Sequence, residues 1–500
     1  MTRPQLALCI SMVLLAAIVS LASIMVGCGS SSSPIGVTPP PPGKISHVVI
    51  IFQENRTPDN LFQGLCTANG GVPGCDPTGT NPNQYDIASQ GMTSTGTVPL
   101  TPVTLATNYD LGHSHDSFLL VCDYNASAGT CKMDGANTNV CDPAPNCPSL
   151  PENQYVQPSD VQPYLTMAQT YTFGDRMFQT NQGPSFPAHQ YILSGTSAIS
   201  ASSTTYVSDN PGNNLRANGT AGSGCLAPPT ASENTLDITQ PFPNMAYSYL
   251  VGSAECMEHP TLTDVLDSNH LTWKYYTPED GFIWTAPNGI DHICQPSGPS
   301  DQLVCEGPDW TNTNPNVVVE GSGAQIVTDI QSGKLANVTW VIPTGQNSDH
   351  AGNTPSNGPS WVASIVNAIG NSGFWSDTAI IVTWDDWGGW YDHVPPTLLS
   401  TNSYEYGYRV PLLVISPYAK PAYISHQVDD FGSILKFIEE TFSLPAIDPS
   451  VGYADSYTPG DLSDCFDYNQ TPITFTTIQA PVPAEHFIHD KSKPEPPDND

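Results

Sequence analysis

The sequence predicts an α/β protein built around a mostly parallel central sheet, and two apolar segments carry that prediction. Residues 48–52 form an unbroken apolar run rich in β-branched side chains, which is typical of a strand buried on both faces. Residues 378–384 repeat this character far downstream. Both runs end abruptly on acidic or amide residues. In open parallel sheets ligands bind just beyond the carboxyl ends of the strands, so the two ends indicate one functional edge.

The residues that follow these two strands predict a metal site. The first strand leads into Glu54 and Asn55, and the second into Asp385 and Asp386. Two adjacent carboxylates repel each other, and a cation or protonation must offset that repulsion. Four oxygen donors suit Ca²⁺, Mg²⁺ or Mn²⁺ better than a zinc site of the thiolate type. The alternative is a solvated acidic turn, which the flanking tryptophans disfavour.

A turn between the two strands supplies a candidate nucleophile. Gly183 and Pro184 force a bend, Ser185 follows directly, and Pro187 stiffens the segment beyond it. A short helix is predicted over residues 190–194, which would place Ser185 at or just before a helix N-terminus, where anions are favoured. A hydroxyl beside a divalent cation can ionise and act as a nucleophile. The alternative is an ordinary serine in a turn.

In this order, the motifs resemble those of the bacterial phosphoesterase family, which contains non-specific phospholipases C and a group of secreted acid phosphatases. The resemblance runs from about Ile45 to about Pro445 and rests on ENR at 54–56, GHS at 112–114, GPSFP at 183–187, DH at 349–350 and WDDWGGWYDHVPP at 384–396. It implies an alkaline-phosphatase-like fold, a three-layer α/β/α sandwich.

The resemblance also assigns roles to individual residues. It implies one divalent ion, Ca²⁺, Mg²⁺, Mn²⁺ or Zn²⁺, with the oxygen-rich ligand set favouring a hard cation. It further implies in-line phosphoryl transfer through a phosphoserine, with one of the histidines or Asp349 protonating the leaving group. The implied metal ligands are Glu54, Asn55, Asp385, Asp386 and the nucleophile Ser185, and the implied phosphate-binding histidines are His113, His350 and His393.

Some positions depart from the family pattern and leave the substrate open. Ala188 stands where the family often has Asn, and His115 stands where it commonly has Trp. Asp386 replaces a frequent Glu, which shortens one ligand arm by a methylene, and Phe431 replaces a usual His. None of these changes removes a ligand type or the nucleophile.

Charge narrows the range of partners. The chain has 13 basic against 47 acidic residues and a net charge of −34, which argues against nucleic-acid binding and against attraction to anionic membranes. A metal and histidines must then supply positive charge locally for a phosphate. We expect a small phosphate ester as substrate and an acid phosphatase as the enzyme. The alternatives are a phospholipase C acting on phosphatidylcholine-type lipids, a sulfatase-like or transferase relative, and a non-catalytic surface binding lipoprotein.

The N-terminus predicts export. Arg3 precedes an apolar stretch over residues 6–25, and the segment ending at Cys28 resembles a lipoprotein signal. We therefore expect a signal peptide over residues 1–27, lipidation of Cys28 and a flexible tether over 28–43, with an ordinary cleaved signal or an uncleaved anchor as alternatives. The protein would face the periplasm or cell surface, or be secreted, and would meet a membrane only through its lipid anchor.

Cysteine spacing fits an oxidising compartment. Four close pairs bracket turn-rich loops, a looser pair joins Cys225 with Cys256, and Cys465 is left over. The predicted close pairs are Cys66 with Cys75, Cys122 with Cys131, Cys141 with Cys147, and Cys294 with Cys305.

The predicted organisation is a catalytic domain over 44–480, an insertion over the pocket at 197–320 and a disordered tail at 481–500. Within it, residues 261–267 and 362–369 read as helices, and 271–276 as a strand.

Overall fold

The computed structural model of the protein describes residues 41, 43–66, 74–244, 248–251 and 256–494. The predicted signal peptide, the lipidation site Cys28 and nearly all of the predicted tether therefore lie outside the described residues, as do the last six residues of the tail. Within the described ranges, the helices are too short and too polar to cross a bilayer.

An eight-stranded sheet forms the centre of the fold. Its strands are β1 (His47–Gln53), β2 (Thr172–Gly174), β3 (Trp273–Thr277), β4 (Val317–Val319), β5 (Val338–Val341), β6 (Thr378–Trp384), β7 (Leu412–Ile415) and β8 (Tyr423–Ser425). They run in the order β4-β3-β5-β1-β6-β7-β2-β8, and all neighbours are parallel except β7, which is antiparallel to both β6 and β2. The predicted mostly parallel sheet is confirmed.

The two strands predicted from apolar runs are adjacent in this sheet. β1 pairs with β6 along its whole length, with Gln53 opposite Trp384. Every residue of β6 is buried, as is all of β1 except His47, because helices cover both faces of the sheet. The register brings the residues that follow both strands to the same edge, as the sequence predicted.

Helices lie in two groups, which is how the two faces of a central sheet are covered. In one group α4 (Ser185–Ser194) packs against α5 (Leu262–Ser268) and α10 (Phe431–Phe442). In the other group α9 (Gly358–Gly370) is contacted by α3 (Gln162–Thr170), α8 (Gln325–Gln331) and α12 (Ala484–His489). The three-layer α/β/α prediction is thereby confirmed. The α-helices are α1 (Pro58–Leu61), α2 (His115–Cys122), α3 (Gln162–Thr170), α4 (Ser185–Ser194), α5 (Leu262–Ser268), α6 (Asp291–Cys294), α7 (Pro308–Thr311), α8 (Gln325–Gln331), α9 (Gly358–Gly370), α10 (Phe431–Phe442), α11 (Ala454–Tyr457) and α12 (Ala484–His489).

Proline explains where two helices begin earlier than predicted. α4 was expected only from residue 190, but it begins at Ser185. α9 was expected from residue 362, but it begins at Gly358. Pro187 and Pro359 lie within the first turns of these helices, where a missing N–H leaves no intrahelical hydrogen bond unmade.

The predicted insertion at 197–320 is wrong in its second half. β3 and β4 lie inside this range, yet both belong to the central sheet, with β3 hydrogen-bonded to β5. The apolar and aromatic side chains of β3 are almost completely buried, so this segment belongs to the core. The first half does form a separate three-stranded antiparallel sheet of Thr205–Val207, Ser232–Asp237 and Ser248–Val251.

The predicted disordered tail at 481–500 is also wrong in part. Residues 484–489 form α12, and Phe487 is fully buried where this helix meets α8 and α9. An aromatic anchor in a largely polar segment helps to fix it against the domain.

The cysteine predictions are confirmed. All four close pairs form disulfides, Cys225 bonds to Cys256, and Cys465 is a buried free thiol. Short two-stranded ladders accompany them in the loops: Gln90–Thr93 with Gly96–Pro99, Thr101–Val103 with Gln154–Val156, Asp110–Leu111 with Cys141–Asp142, Tyr124–Asn125 with Thr130–Cys131, Met177–Phe178 with Asp429–Asp430, and Pro296–Ser297 with Val304–Cys305.

Candidate active site

Three carboxylates meet at the carboxyl ends of β1 and β6. Glu54, Asp385 and Asp386 are all fully buried. Asn55 adopts a left-handed conformation (φ 60°), and its backbone N–H donates to Asp385 Oδ1 at 2.9 Å. Asparagine tolerates this conformation better than most residues, and here it turns the chain sharply so that two consecutive side chains reach one site. The structure therefore brings together the four oxygen ligands predicted from the sequence.

A glycine allows the second ligand segment to approach the first. The Gly388 N–H donates to Asp386 Oδ1 at 2.7 Å and fixes that carboxylate. Gly388 has φ 60°, and a Cβ at this position would collide with the backbone of Asn55. Only glycine meets both conditions without strain.

Ser185 lies against the carboxylates as the first residue of α4. Its Oγ is 3.3 Å from Asp386 Oδ2 and 3.4 Å from Glu54 Oε2. The predicted position at a helix N-terminus is confirmed. The next backbone N–H, that of Phe186, donates to Asn210 Oδ1 at 2.9 Å, so the three-stranded sheet region contributes to this turn.

His189 also belongs to this group, although the sequence analysis missed it. Its Nε2 lies 3.1 Å from Glu54 Oε1 and 3.8 Å from Asp385 Oδ2. Its spacing in the sequence could have predicted this position. Residues four apart lie on the same face of a helix, and His189 is four residues after Ser185. Burial lowers the pKa of His189 to about 4, which keeps its ring neutral.

Two of the three predicted phosphate-binding histidines lie at the same edge. His113 Nδ1 donates to the Leu111 carbonyl at 2.7 Å, so its Nε2 accepts from Asn55 Nδ2 at 3.0 Å. His350 lies beside it, with ring centroids 5.7 Å apart. Trp284 contacts the rings of both His350 and His189, at centroid distances of 5.9 and 6.4 Å. Three histidines therefore surround the carboxylates.

The charges of this site are not balanced by basic side chains. No lysine or arginine pairs with Glu54, Asp385 or Asp386 in the described part of the chain. Burial, followed by repulsion from Asp385, raises the pKa values of Glu54 and Asp386 well above their usual range. Such a group of carboxylates is stable only when protonated or when a cation is bound.

Two orphaned oxygens indicate that a cation fits. Asn55 Oδ1 and Asp385 Oδ2 are both buried, and neither has a hydrogen-bond donor among the described residues. Carboxylate and amide oxygens are the ligands that hard divalent ions prefer. Ligand atoms of Glu54, Asp385 and His189 also lie within 4.8 Å of one another. The donor set therefore fits a divalent cation.

His393 does not join this site, which corrects its predicted phosphate-binding role. Its Nδ1 is 2.7 Å from Asp59 Oδ2, and its Nε2 is 3.0 Å from Asp86 Oδ1. Both ring nitrogens are thus engaged in a different acidic cluster, where Arg409 also lies. The motif predicted a ligand for phosphate, but the ring is turned toward carboxylates.

Asp349 does not reach the site either, so the structure gives no support to its predicted contact with substrate or its role as an acid. Its Oδ2 accepts from Trp384 Nε1 at 3.0 Å, and burial raises its pKa to about 6. Its backbone carbonyl accepts from Arg56 Nε at 2.8 Å, and the Arg56 guanidinium stacks on Trp390 at 4.8 Å. Asp349 and Arg56 therefore serve the packing beneath the site.

Similarity to known proteins agrees with this geometry. The model of the Phosphoesterase family matches residues 45–445. Phospholipase C A of Mycobacterium tuberculosis is 23% identical over 478 residues, covering 86% of this chain and 78% of that protein. The non-hemolytic phospholipase C of Burkholderia pseudomallei is 31% identical over 194 residues, covering 32% of this chain and 27% of that protein. Matches of the latter kind span only about a quarter to a third of the relatives' length.

Solved structures give a more distant likeness. A protein in the alkaline phosphatase superfamily from Vibrio parahaemolyticus aligns with a TM-score of 0.36 at 11% identity, covering 85% of this chain and 71% of that one. At that TM-score the likeness supports no argument about function. The match over residues 45–445 covers most of the chain and includes every residue of the carboxylate site, and the chain therefore belongs to the Phosphoesterase family.

Proposed function

We propose that the protein is an exported, metal-dependent phosphoric ester hydrolase that acts through a phosphoserine on Ser185. The observation that carries the proposal is the position of Ser185 Oγ, 3.3–3.4 Å from two buried carboxylates at the edge where two parallel strands end. An ordinary turn does not require its serine to lie among buried carboxylates whose negative charge no basic side chain neutralises. Beside a bound cation, the same position is that of an activated nucleophile.

Each group of residues in the site has its own role in the proposed reaction. Glu54, Asn55, Asp385 and Asp386 would hold a divalent cation, which supplies positive charge that favours the ionised hydroxyl and stabilises the developing charge on phosphate. Ser185 Oγ attacks phosphorus in line with the leaving oxygen, the bond from phosphorus to that oxygen breaks, and the leaving oxygen departs as the alcohol with a proton that balances the one lost by the Ser185 hydroxyl. His350 and His113 can donate to the non-bridging oxygens only with protonated rings, because each Nδ1–H already donates to a backbone carbonyl, and His113 Nε2 must also leave Asn55 Nδ2. Water then attacks the phosphoserine from the vacated side and restores the hydroxyl.

A direct test of the intermediate is to trap it. Acid quenching during turnover of an aryl phosphate, followed by peptide mass spectrometry, should find phosphate on Ser185. The Ser185→Ala variant, which should keep the fold, should show no phosphate on this peptide. Phosphate found on another residue, or a full turnover rate with no phosphopeptide at any time, would contradict the covalent route.

Within this class we propose an acid phosphatase acting on small phosphate esters. The support is charge: Arg56 is held in packing, and Arg176 pairs with Asp86, so neither is free to clamp a phosphate. Binding must then depend on the cation and on histidines, whose ordinary pKa is about 6.5, and acidic medium favours their protonated form. The second candidate is a phospholipase C, which is favoured by the names of the relatives.

The two candidates are separated by kcat/KM for an aryl phosphate and for phosphatidylcholine micelles between pH 4 and 9. We expect a preference for the aryl phosphate and an acidic optimum. A preference for the lipid, or an optimum above neutrality, would favour the phospholipase. Exhaustive chelation should abolish both activities, and elemental analysis should find one divalent ion per chain in the untreated protein.

For location we propose a cell-envelope lipoprotein anchored through Cys28. The support is the apolar stretch before Cys28, together with five disulfides, which indicate an oxidising compartment. Cys28→Ser should move the protein from the membrane fraction to the soluble fraction. A mature N-terminus at another residue, without a lipid, would rule this out.

A further inference from the structure

We propose that His189 is a nitrogen ligand of the cation in this site, and that it makes the site select a transition-metal ion such as Zn²⁺ or Fe²⁺ over Ca²⁺ or Mg²⁺. The inference rests on the proposed metal site and deepens it. The motif-derived ligands are all oxygens and favour a hard cation. Imidazole is a ligand of zinc and iron, whereas Ca²⁺ and Mg²⁺ prefer oxygen. One histidine therefore changes the expected metal.

The distances fit shared coordination. His189 Nε2 is 3.1 Å from Glu54 Oε1 and 3.8 Å from Asp385 Oδ2. Ligand atoms bound to one zinc at about 2.0–2.2 Å in tetrahedral geometry lie roughly 3.4 Å apart. The nitrogen is thus spaced from both oxygens as it would be around one ion. Asp385 Oδ2 is buried and has no hydrogen-bond donor among the described residues.

The imidazole is also held in place by its surroundings. Phe52 packs edge-on against it at a centroid distance of 4.8 Å, and Trp284 stacks on it at 6.4 Å. One turn of α4 separates it from Ser185, so the helix sets both side chains on one face. His189 is fully buried, and rotation of its ring would require these aromatic side chains to move.

An ordinary ion pair does not account for the arrangement. One histidine can offset at most one negative charge, whereas three buried carboxylates meet at this site, two of them within 3.8 Å of His189 Nε2. Asn55 Oδ1 is orphaned at the same site, and a histidine bonded to Glu54 does nothing to satisfy it. A cation reached by the nitrogen and by these oxygens satisfies all of them together.

Metal binding by the folded protein tests the inference without reference to activity. Metal-free wild type, His189→Gln and the control His259→Gln, an equally buried histidine elsewhere, would be titrated with Zn²⁺, Mg²⁺ and Ca²⁺ and followed by thermal unfolding and elemental analysis. We expect wild type and control to prefer Zn²⁺. His189→Gln should lose at least about 10-fold in Zn²⁺ affinity, since even supporting residues of metal sites contribute 10–100-fold. Its affinity for Mg²⁺ should change little.

The Co²⁺-loaded protein supplies a second readout. Its visible absorption should shift in His189→Gln and should not shift in His259→Gln. Equal Zn²⁺ affinity in wild type and His189→Gln, or a wild-type preference for Mg²⁺ or Ca²⁺, would overturn the inference. If His189→Gln does not fold, His189→Asn takes its place in the titration and in the Co²⁺ spectrum, with the same expected and contradicting outcomes. Selective Zn²⁺ binding without hydrolysis of any phosphate ester would instead sink the proposed function and leave the ligand assignment intact.

Discussion

Two of the buried acidic clusters in the described part of this domain neutralise their charge in opposite ways. The first, here called the catalytic cluster after its proposed role, consists of Glu54, Asp385 and Asp386 with His189 and Ser185, and no lysine or arginine reaches it in the described chain. The second, here called the paired cluster, consists of Asp59, Asp86 and Asp392 with the cations Arg409 and His393. Both contain three ligand groups close enough together to hold an ion. Only the paired cluster already contains its positive charge.

Arg409 dominates the paired cluster. Its Nε and Nη2 bind the two oxygens of Asp392 at 2.8 and 2.9 Å, and it also approaches Asp59 at 3.4 Å and Asp86 at 3.6 Å. His393 bridges Asp59 and Asp86, and its pKa is raised to about 10 by these carboxylates against the opposing effect of burial. Each cluster contains carboxylates and a histidine, so these residue types alone would not distinguish the two. The difference is the Arg409 guanidinium in the paired cluster.

The largest expected effect concerns the hydroxyl, which only the catalytic cluster contains. Ser185→Ala should lower kcat by about 10³-fold or more, because the nucleophile is lost and only binding and electrostatic effects remain. Stability should be nearly unchanged. Retention of a tenth of wild-type kcat would exclude Ser185 as the nucleophile. Circular dichroism and metal content serve as controls for the fold and for the cation.

The next largest effect is expected from removing the Arg409 guanidinium from the paired cluster. Arg409→Met should destabilise the protein by about 3–5 kcal/mol, since it leaves the buried Asp392 without its charged partner. Urea unfolding measures this loss. Lys132→Met, which breaks an exposed pair with Asp123, is the matched control and should leave the urea unfolding midpoint nearly unchanged. Similar losses in the two variants would show that the paired cluster contributes no special stability.

Identical substitutions in the two clusters should act in opposite directions. In metal-free protein, Asp385→Asn should raise stability by about 1 kcal/mol, because it relieves repulsion among the carboxylates of the catalytic cluster. Asp392→Asn should lower stability by about 2 kcal/mol, the scale of a hydrogen bond to a charged group. Elemental analysis should find metal lost only in Asp385→Asn. Destabilisation of both metal-free variants would remove the distinction between the clusters.

The last expected effect is a pH dependence of the paired cluster. The pKa of His393 is about 10 in the folded protein against 6.5 ordinarily, so its contribution to stability is fully present below about pH 6.5 and is lost as pH rises toward 10. The difference in unfolding free energy between wild type and His393→Gln should therefore shrink over this window. A difference that stays constant from pH 6.5 to 10 would show that the histidine is uncharged in the fold.

The sequence predicted the catalytic cluster well because strand ends are local features. An apolar run that stops on Glu54, or on Asp385, fixes both the strand and the sheet edge where its ligands lie. His393 could not be placed in this way, because its partner Arg409 comes from a distant segment and only the fold brings them together. His189 was overlooked because the proline before it concealed the helix that carries it.

The remaining differences have the same origin in tertiary packing. β3 lies in a stretch rich in turn residues, and its place in the central sheet follows from pairing with β5, which no local pattern encodes. α12 is held by the buried Phe487, by Ile488 packed against the core and by the backbone hydrogen bond from Ala324 N–H to the Phe487 carbonyl, all contacts with distant parts of the chain. Segments whose structure depends on distant contacts are poorly predicted from composition.

The two clusters share the segments that carry them. Asp59 follows Glu54 by five residues, and His393 follows Asp386 by seven; Asp59 Oδ2 accepts both the backbone N–H and the ring of His393, and Thr57 Oγ1 donates to the Tyr391 carbonyl at 2.9 Å. The paired cluster therefore links the two loops that also carry the mutually repelling carboxylates of the catalytic cluster. A site braced in this way keeps its shape before the ion arrives. We therefore expect the metal-free polypeptide to fold first and then to bind and exchange the proposed cation without unfolding.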